Sequence, residues 1–136
     1  MGRRRRDGRG RLLVHGGGDE GRGEGLNTGR VVVPLEIAAS RRARTRGLLG
    51  RDALEGAILL TPASGIHTFG MRMPIDVAYL DRDLVVLAVR TMRPGRLGMP
   101  RLRARHVLEA QAGVMAGWGV RAGARVSVEA AGWGGA

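Results

Sequence analysis

Residues 75–90 read IDVAYLDRDLVVLAVR, and this stretch decides the fold class. Two apolar runs, Ile75–Leu80 and Leu84–Arg90, flank the polar turn Asp81-Arg82-Asp83, which is the pattern of a β-hairpin. The second run is the strongest strand signal in the chain, because it is almost entirely β-branched and aliphatic. We therefore predict an antiparallel hairpin at the centre of the folded domain.

Short apolar runs on either side of the hairpin extend this pattern. Further strands are predicted at Val31–Ile37, Ala57–Leu60, Ile66–Met71, His106–Ala110 and Ala124–Ala130. The runs do not alternate with helical segments as βαβ units, so a Rossmann-type fold is not expected. The sequence predicts a mainly β domain, antiparallel and compact, shaped as a barrel or sandwich, with one or two short helices.

The helices are predicted from capping residues and apolar spacing. Ser40 is a suitable N-cap for a helix over Arg41–Leu49, and Gly50 would end that helix. Its first turn carries arginines, which oppose the helix dipole, so packing has to hold it in place. Residues 111–117 are predicted to form a turn or a second short helix.

The first 30 residues differ in composition from the rest of the chain. They hold eight arginines against four acidic residues, many glycines and few large apolar side chains. Such a segment buries too little apolar surface to offset its ordering entropy. We predict a disordered Arg/Gly-rich head over residues 1–30, a single domain over residues 31–130 and a flexible tail over residues 131–136.

Composition also excludes several classes of protein. The chain has no cysteine, which excludes disulfides, thiolate metal sites and cysteine nucleophiles. No apolar run approaches the roughly 20 residues that span a bilayer, so we expect a cytoplasmic protein without membrane insertion. All 23 basic residues are arginine and the formal net charge is +11, which predicts weak, non-specific and salt-sensitive binding of nucleic acid.

No strong catalytic or cofactor motif is present. Walker A, HExxH and GxSxG patterns are all missing, and no GxGxxG follows a strand, so no cofactor is predicted. The histidines are His15, His67 and His106, and their spacing from Asp76 and Glu109 does not define a ligand set. No metal site is predicted.

Asp76 and Glu109 each interrupt an apolar run, so both acids are expected to be buried and partnered. One interpretation is structural: they anchor arginines or loop N–H groups. The other is a concave site in which Arg46 or Arg51 binds an anion and His67 or one of the acids moves a proton. The candidate pocket consists of Arg46, Arg51, His67, Met71, Asp76 and Glu109.

Four motifs in order resemble the family called domain of unknown function 192. They are Arg44–Arg51 (RTRGLLGR), 66–77 (IHTFGMRMPIDV), 107–113 (VLEAQAG) and 119–124 (GVRAGA). Three positions depart from the family pattern: Leu49 stands where methionine is usual, Gly70 replaces a second aromatic residue, and Ala124 replaces the usual aspartate. The resemblance implies a compact, mostly β fold with a helix carrying the Arg-Gly-Leu stretch, and it implies no reaction.

Three functions remain open at this point. The leading hypothesis is a small non-enzymatic binding or accessory module whose pocket takes a small anionic ligand. The second is an enzyme acting on an anionic small molecule, with an arginine holding the anion and His67 or Asp76 as acid or base. The third is a nucleic-acid-associated protein that acts through the arginine-rich head.

Overall fold

The computed structural model describes residues 5–15 and 31–131. That part of the chain forms nine strands and two short helices. In chain order they are β1 (Gly8–His15), β2 (Val31–Ala38), α1 (Arg41–Arg46), β3 (Ala57–Leu60), β4 (Ile66–His67), β5 (Ile75–Leu80), β6 (Val86–Met92), β7 (Leu97–Gly98), β8 (His106–Gln111), α2 (Val114–Trp118) and β9 (Arg125–Ala130). The mainly β class with one or two short helices is confirmed.

Seven strands form one curled sheet in the order β6-β5-β8-β3-β2-β1-β9, which makes a half-barrel. The predicted hairpin is present as β5 and β6, with Val77 opposite Arg90. The two outermost strands approach each other at one end, where Val85 bridges to Arg125. The twist of the strands produces this curl and brings the ends of the sheet together.

One strand pair departs from the antiparallel pattern. β2 and β3 run parallel, with Leu35 opposite Ala57, and the chain crosses between them through α1. The expectation that the chain contains no βαβ unit is therefore wrong for this crossover. The helix has only six residues, too few to give the long amphipathic pattern by which such units are usually recognised.

Apolar side chains pack on both faces of the sheet. The inner face takes residues from all seven strands, among them Leu12, Leu59 and Val126, and Met115 of α2 joins them. The outer face carries Ile58 and Val77 among others and is covered by loops that contribute residues such as Leu48. Because side chains alternate along a strand, each polar residue in β5 and β8 lies on one of these two faces.

Strand β1 lies in the segment for which composition predicts disorder. Gly8–His15 pair with β2 on one side and β9 on the other, and Leu12 and Val14 are buried. The prediction of disorder is therefore wrong for these residues, because a strand held by two neighbours needs few apolar side chains of its own. A Cβ at Gly10 would overlap the carbonyl oxygen of Glu129, so glycine permits this close pairing. Residues 1–4, 16–30 and 132–136 lie outside the described residues.

Two predicted elements are shorter in the structure. The strand expected over Ile66–Met71 is only β4, which pairs with β7 in the connection between β6 and β8. We call this two-stranded unit the outer ribbon. The helix predicted to reach Leu49 ends at Arg46, because Gly47 takes a positive φ of 40° and turns the chain away.

Candidate functional site

Glu109 lies in β8 on the outer face, between Ile58 of β3 and Val77 of β5. It is 1% exposed, and its Oε2 atom has no hydrogen-bond partner among the described residues. A Cβ added at Gly47 would lie 3.8 Å from its Oε1 atom, so the turn after α1 covers the carboxyl group. Burial raises the pKa of Glu109 to about 7. The side chain is therefore an acid that the fold favours in its neutral form.

Arg51 follows the same turn and binds Glu36 of β2 with both guanidinium nitrogens. Arg51 Nη1 lies 2.9 Å from Oε1 and Arg51 Nη2 lies 2.8 Å from Oε2 of the carboxylate. These hydrogen bonds lower the pKa of Glu36. The guanidinium predicted to hold an anionic ligand is thus already paired within the chain, in the bidentate geometry that arginine favours.

We expect Arg51→Gln to lower the free energy of unfolding by about 1 kcal/mol or less, because the pair is partly exposed to solvent. A double-mutant cycle with Glu36→Gln, measured by urea denaturation, should show coupling that weakens with added salt. An Arg51→Gln variant with unchanged stability and lost anion binding would contradict the structural role and restore Arg51 as a ligand-binding residue.

Asp76 lies in β5, is 3% exposed, and points to the inner face. Its Oδ1 accepts a hydrogen bond from Thr91 Oγ1 at 2.7 Å, and its Oδ2 accepts from the backbone N–H groups of Gly113 and Met115 at 2.9 and 3.1 Å. The carboxylate therefore joins β5, β6 and the start of α2. This arrangement corresponds to the interpretation that the acid anchors loop N–H groups.

The other predicted site residues lie near the surface. His67 is exposed on the outer ribbon and stacks on Phe69, with ring centroids 5.2 Å apart. Met71 packs against the outer-face cluster, as a flexible core filler does. Arg46 is exposed in the last turn of α1.

The structure does not bring the six predicted residues into one pocket. Asp76 is opposite Ala110 and Val77 is opposite Glu109, so the two acids lie on opposite faces of the sheet. His67, Asp76 and Arg51 each line a different groove. A proton-transfer site that combines these groups has no support in this geometry, because the grooves that they line are different ones.

A different set of residues forms a positively charged groove on the outer side of β5 and β6. We call it the arginine groove; it has a volume of about 510 Å³, and its charged lining residues are Arg90, Arg93, Arg96 and Arg101. No acidic side chain lines it, and none of the four arginines forms an ion pair with a described residue. A sequence signal existed: residues 84–108 contain six arginines and no acidic residue.

Thr68 fixes the loop that carries two of these arginines. It is fully buried, and its Oγ1 donates to the carbonyl of Arg93 at 2.6 Å and accepts from the N–H of Arg96 at 2.8 Å. Its own N–H donates to the carbonyl of Arg96, and its carbonyl accepts from Gly95. Because these hydrogen bonds order the loop backbone, the Cα positions of Arg93 and Arg96 are set before a ligand binds.

Tyr79 forms the floor of the groove. The guanidinium of Arg101 lies 4.9 Å from the centre of its ring, a cation–π contact. Burial raises the pKa of the Tyr79 hydroxyl, and the nearby Arg101 and Arg90 partly oppose that shift. Tyr79 itself is 2% exposed, so the groove presents arginine side chains above a buried ring.

Residues 5–15 and 31–131 lack two features that would suggest a function. Within those ranges, no three His, Cys, Asp or Glu side chains are grouped so as to hold a metal ion. The same ranges contain no helix long and apolar enough to cross a membrane.

Comparison with known proteins gives consistent matches. The family model of domain of unknown function 192, described as "Uncharacterized ACR", matches residues 25–128. The UPF0127 protein PH1112 of Pyrococcus horikoshii is 32% identical over 85 residues, which cover 59% of this chain and 74% of that protein.

Two crystal structures share the fold. A protein of unknown function from Novosphingobium aromaticivorans has a TM-score of 0.69 and 21% identity, over 86% of this chain and 83% of that chain. A protein from Sinorhizobium meliloti, whose description as a transcription regulator is provisional, has a TM-score of 0.72 and 18% identity, over 90% and 95% of the two chains. The match of the family model over most of the chain shows that this protein belongs to the domain of unknown function 192 family.

Proposed function

We propose that the protein is a small, non-enzymatic binding module and that the arginine groove takes its anionic ligand. The observation that carries this proposal is the groove itself, which four arginines line without an acidic side chain. An anion placed there meets positive charge that no described carboxylate neutralises, and charge-assisted hydrogen bonds to guanidinium groups are among the stronger ones in proteins.

The groove replaces the pocket predicted from the sequence. Arg51 is held by Glu36, and Asp76 is held by Thr91 and two backbone N–H groups, so both already have partners within the chain. Glu109, the acid with the raised pKa, is 1% exposed and does not line the groove. A binding role therefore has more support than proton-transfer chemistry. The cytoplasmic location expected from the sequence stays a prediction.

Tripolyphosphate is a suitable soluble probe, with binding followed by isothermal titration calorimetry at several salt concentrations. The double variant Arg96→Gln/Arg101→Gln should bind at least about tenfold more weakly than the wild type, because two guanidinium contacts are lost. Binding by the wild type should weaken as salt rises.

Arg82→Gln is the matched control. Arg82 is exposed in the turn between β5 and β6, at the opposite end of the hairpin from Arg90. Its replacement by glutamine removes the same type of charge as a groove variant does. Its binding should stay close to that of the wild type. The single variants Arg96→Gln and Arg101→Gln each remove one charge, as Arg82→Gln does. If all three lose the same amount of tripolyphosphate affinity, only net charge matters and the proposal is wrong.

A further inference from the structure

The segment that supplies the arginine groove also exposes large apolar side chains. Leu97, Met99 and Leu102 are 67%, 75% and 95% exposed, and we call them the apolar tips. Each tip has an arginine within two residues, and residues 93–105 contain five arginines in all. Soluble proteins rarely group exposed apolar side chains in this way unless the surface binds something.

The outer ribbon extends this surface. His67 lies opposite Leu97 in the ribbon, and Phe69, which stacks on His67, is 51% exposed. A second groove of about 560 Å³ is lined by His67 of the ribbon together with Arg44 and Arg105. Arginines therefore line both grooves to which the ribbon contributes.

The backbone beneath the tips is tied to the rest of the fold. Besides the hydrogen bonds of Thr68, the N–H of Arg101 donates to the carbonyl of Ser64 at 2.9 Å, and the N–H of Ala63 donates to the carbonyl of Arg105 at 2.8 Å. The ribbon also contacts the sheet: Ile66 is partly buried against the outer-face cluster, and Gly98 lies close to the hydroxyl of Tyr79. The backbone that carries the apolar tips is therefore held in place by hydrogen bonds before Leu97 and after Met99.

We propose that this face docks on the surface of an anionic lipid bilayer. The arginines would bind lipid phosphates, and the apolar tips would enter the boundary between headgroups and acyl chains. This inference rests on the proposed function, since the same groove arginines bind the anion in both. It adds the apolar contact, which a soluble anion cannot make.

Single-stranded nucleic acid fits the surface less well. Binding of that kind relies on aromatic side chains that stack on bases. Here the tips are aliphatic, and the ring of Phe69 is already covered on one side by His67. A protein partner also fits less well, because it would have to meet the five arginines of residues 93–105 with aspartate and glutamate, which are depleted at protein interfaces. A bilayer surface has phosphates and apolar chains within the same few ångströms of depth.

The test is co-sedimentation of the full chain with two kinds of vesicle, pure phosphatidylcholine and phosphatidylcholine mixed with phosphatidylglycerol. We expect binding to the mixed vesicles only, with a loss of about fivefold for each groove arginine changed to glutamine. The tip variant Leu97→Asn/Met99→Gln/Leu102→Asn should also lose at least about tenfold on mixed vesicles. The tips are exposed, so this variant should fold, and urea denaturation checks that it does.

Matched variants separate the two proposals. Arg82→Gln, and Val32→Thr at an exposed valine of β2, should bind mixed vesicles like the wild type. The tip variant should still bind tripolyphosphate normally, because its arginines are intact.

If the tip variant binds vesicles as well as the wild type, the lipid inference is wrong while the anion groove stands. If the wild type prefers a single-stranded oligonucleotide to mixed vesicles at equal salt, the lipid inference is also wrong. If it binds neither tripolyphosphate nor vesicles, both proposals fail.

Discussion

Replacing Asp76 with alanine is expected to lower the free energy of unfolding by about 3 to 5 kcal/mol, which would leave a domain of this size barely folded. The buried carboxylate accepts three hydrogen bonds, from Thr91 Oγ1 and from the N–H groups of Gly113 and Met115. A bond to a charged group contributes about 1.5 to 3 kcal/mol. Loss of the carboxylate leaves the buried N–H of Met115 unpaired, whereas Thr91 and Gly113 are exposed and can bind water instead, so the total stays below the sum of three bonds. Urea denaturation followed by circular dichroism measures the effect.

Two further variants identify the cause. Asp76→Asn keeps an oxygen for the two N–H groups and should lose less than half as much stability as the alanine variant. Asp52→Ala removes an exposed carboxylate that lies 3.5 Å from Arg72, and it should change stability by no more than about 0.5 kcal/mol. An Asp76→Ala protein within about 1 kcal/mol of the wild type would mean that these hydrogen bonds do not hold β5 to α2.

Glu109 should make the stability of the domain fall as pH rises. Its pKa is about 7 in the folded chain, against an ordinary value of 4.5. Between these two values the folded chain keeps a proton that the unfolded chain has released, so the contribution is complete below pH 4.5 and is lost by about pH 7. The total loss from this group is about 3 kcal/mol, and it should stay constant at higher pH.

The variant Glu109→Gln isolates this contribution. A neutral amide of similar shape cannot ionise, so its free energy of unfolding should lack the decline and should exceed that of the wild type at pH 8. Urea denaturation at several pH values from 4 to 8 measures both curves. The control Glu55→Gln removes an exposed carboxylate and should follow the wild-type curve. Parallel curves for Glu109→Gln and the wild type would assign the pH dependence to other groups.

Much of the fold could be predicted from local pattern. The run from Ile75 to Arg90 specified a hairpin, and β5 and β6 pair as expected, because alternation and a polar turn are local properties. The acid within each apolar run also indicated burial, and both Asp76 and Glu109 are buried. The partners of these acids could not be predicted, since they come from segments distant in the chain.

Prediction from local sequence pattern failed where contacts with distant segments determine the structure. Gly8–His15 become a strand because β2 and β9 supply hydrogen bonds and apolar contacts on both sides. The composition of residues 1–30, averaged over the segment, hides the alternating Leu12 and Val14. The arginine groove escaped prediction for a related reason: its arginines converge only when the loop after β6 folds back over Tyr79 and is held by Thr68.

The amino-acid sequence alone therefore determined the hairpin, the mainly β class and the burial of two acids, because each depends on residues close together in the chain. Tertiary structure decided whether those acids share a site. Val77 pairs with Glu109 and Asp76 with Ala110, which places the two carboxyl groups on opposite faces of the sheet. A shift of one residue between β5 and β8 would have put both on one face, since side chains alternate with a period of two. That register is set by packing across the whole sheet. Because it separates the two acids, the arginine groove and not the acids is the candidate site.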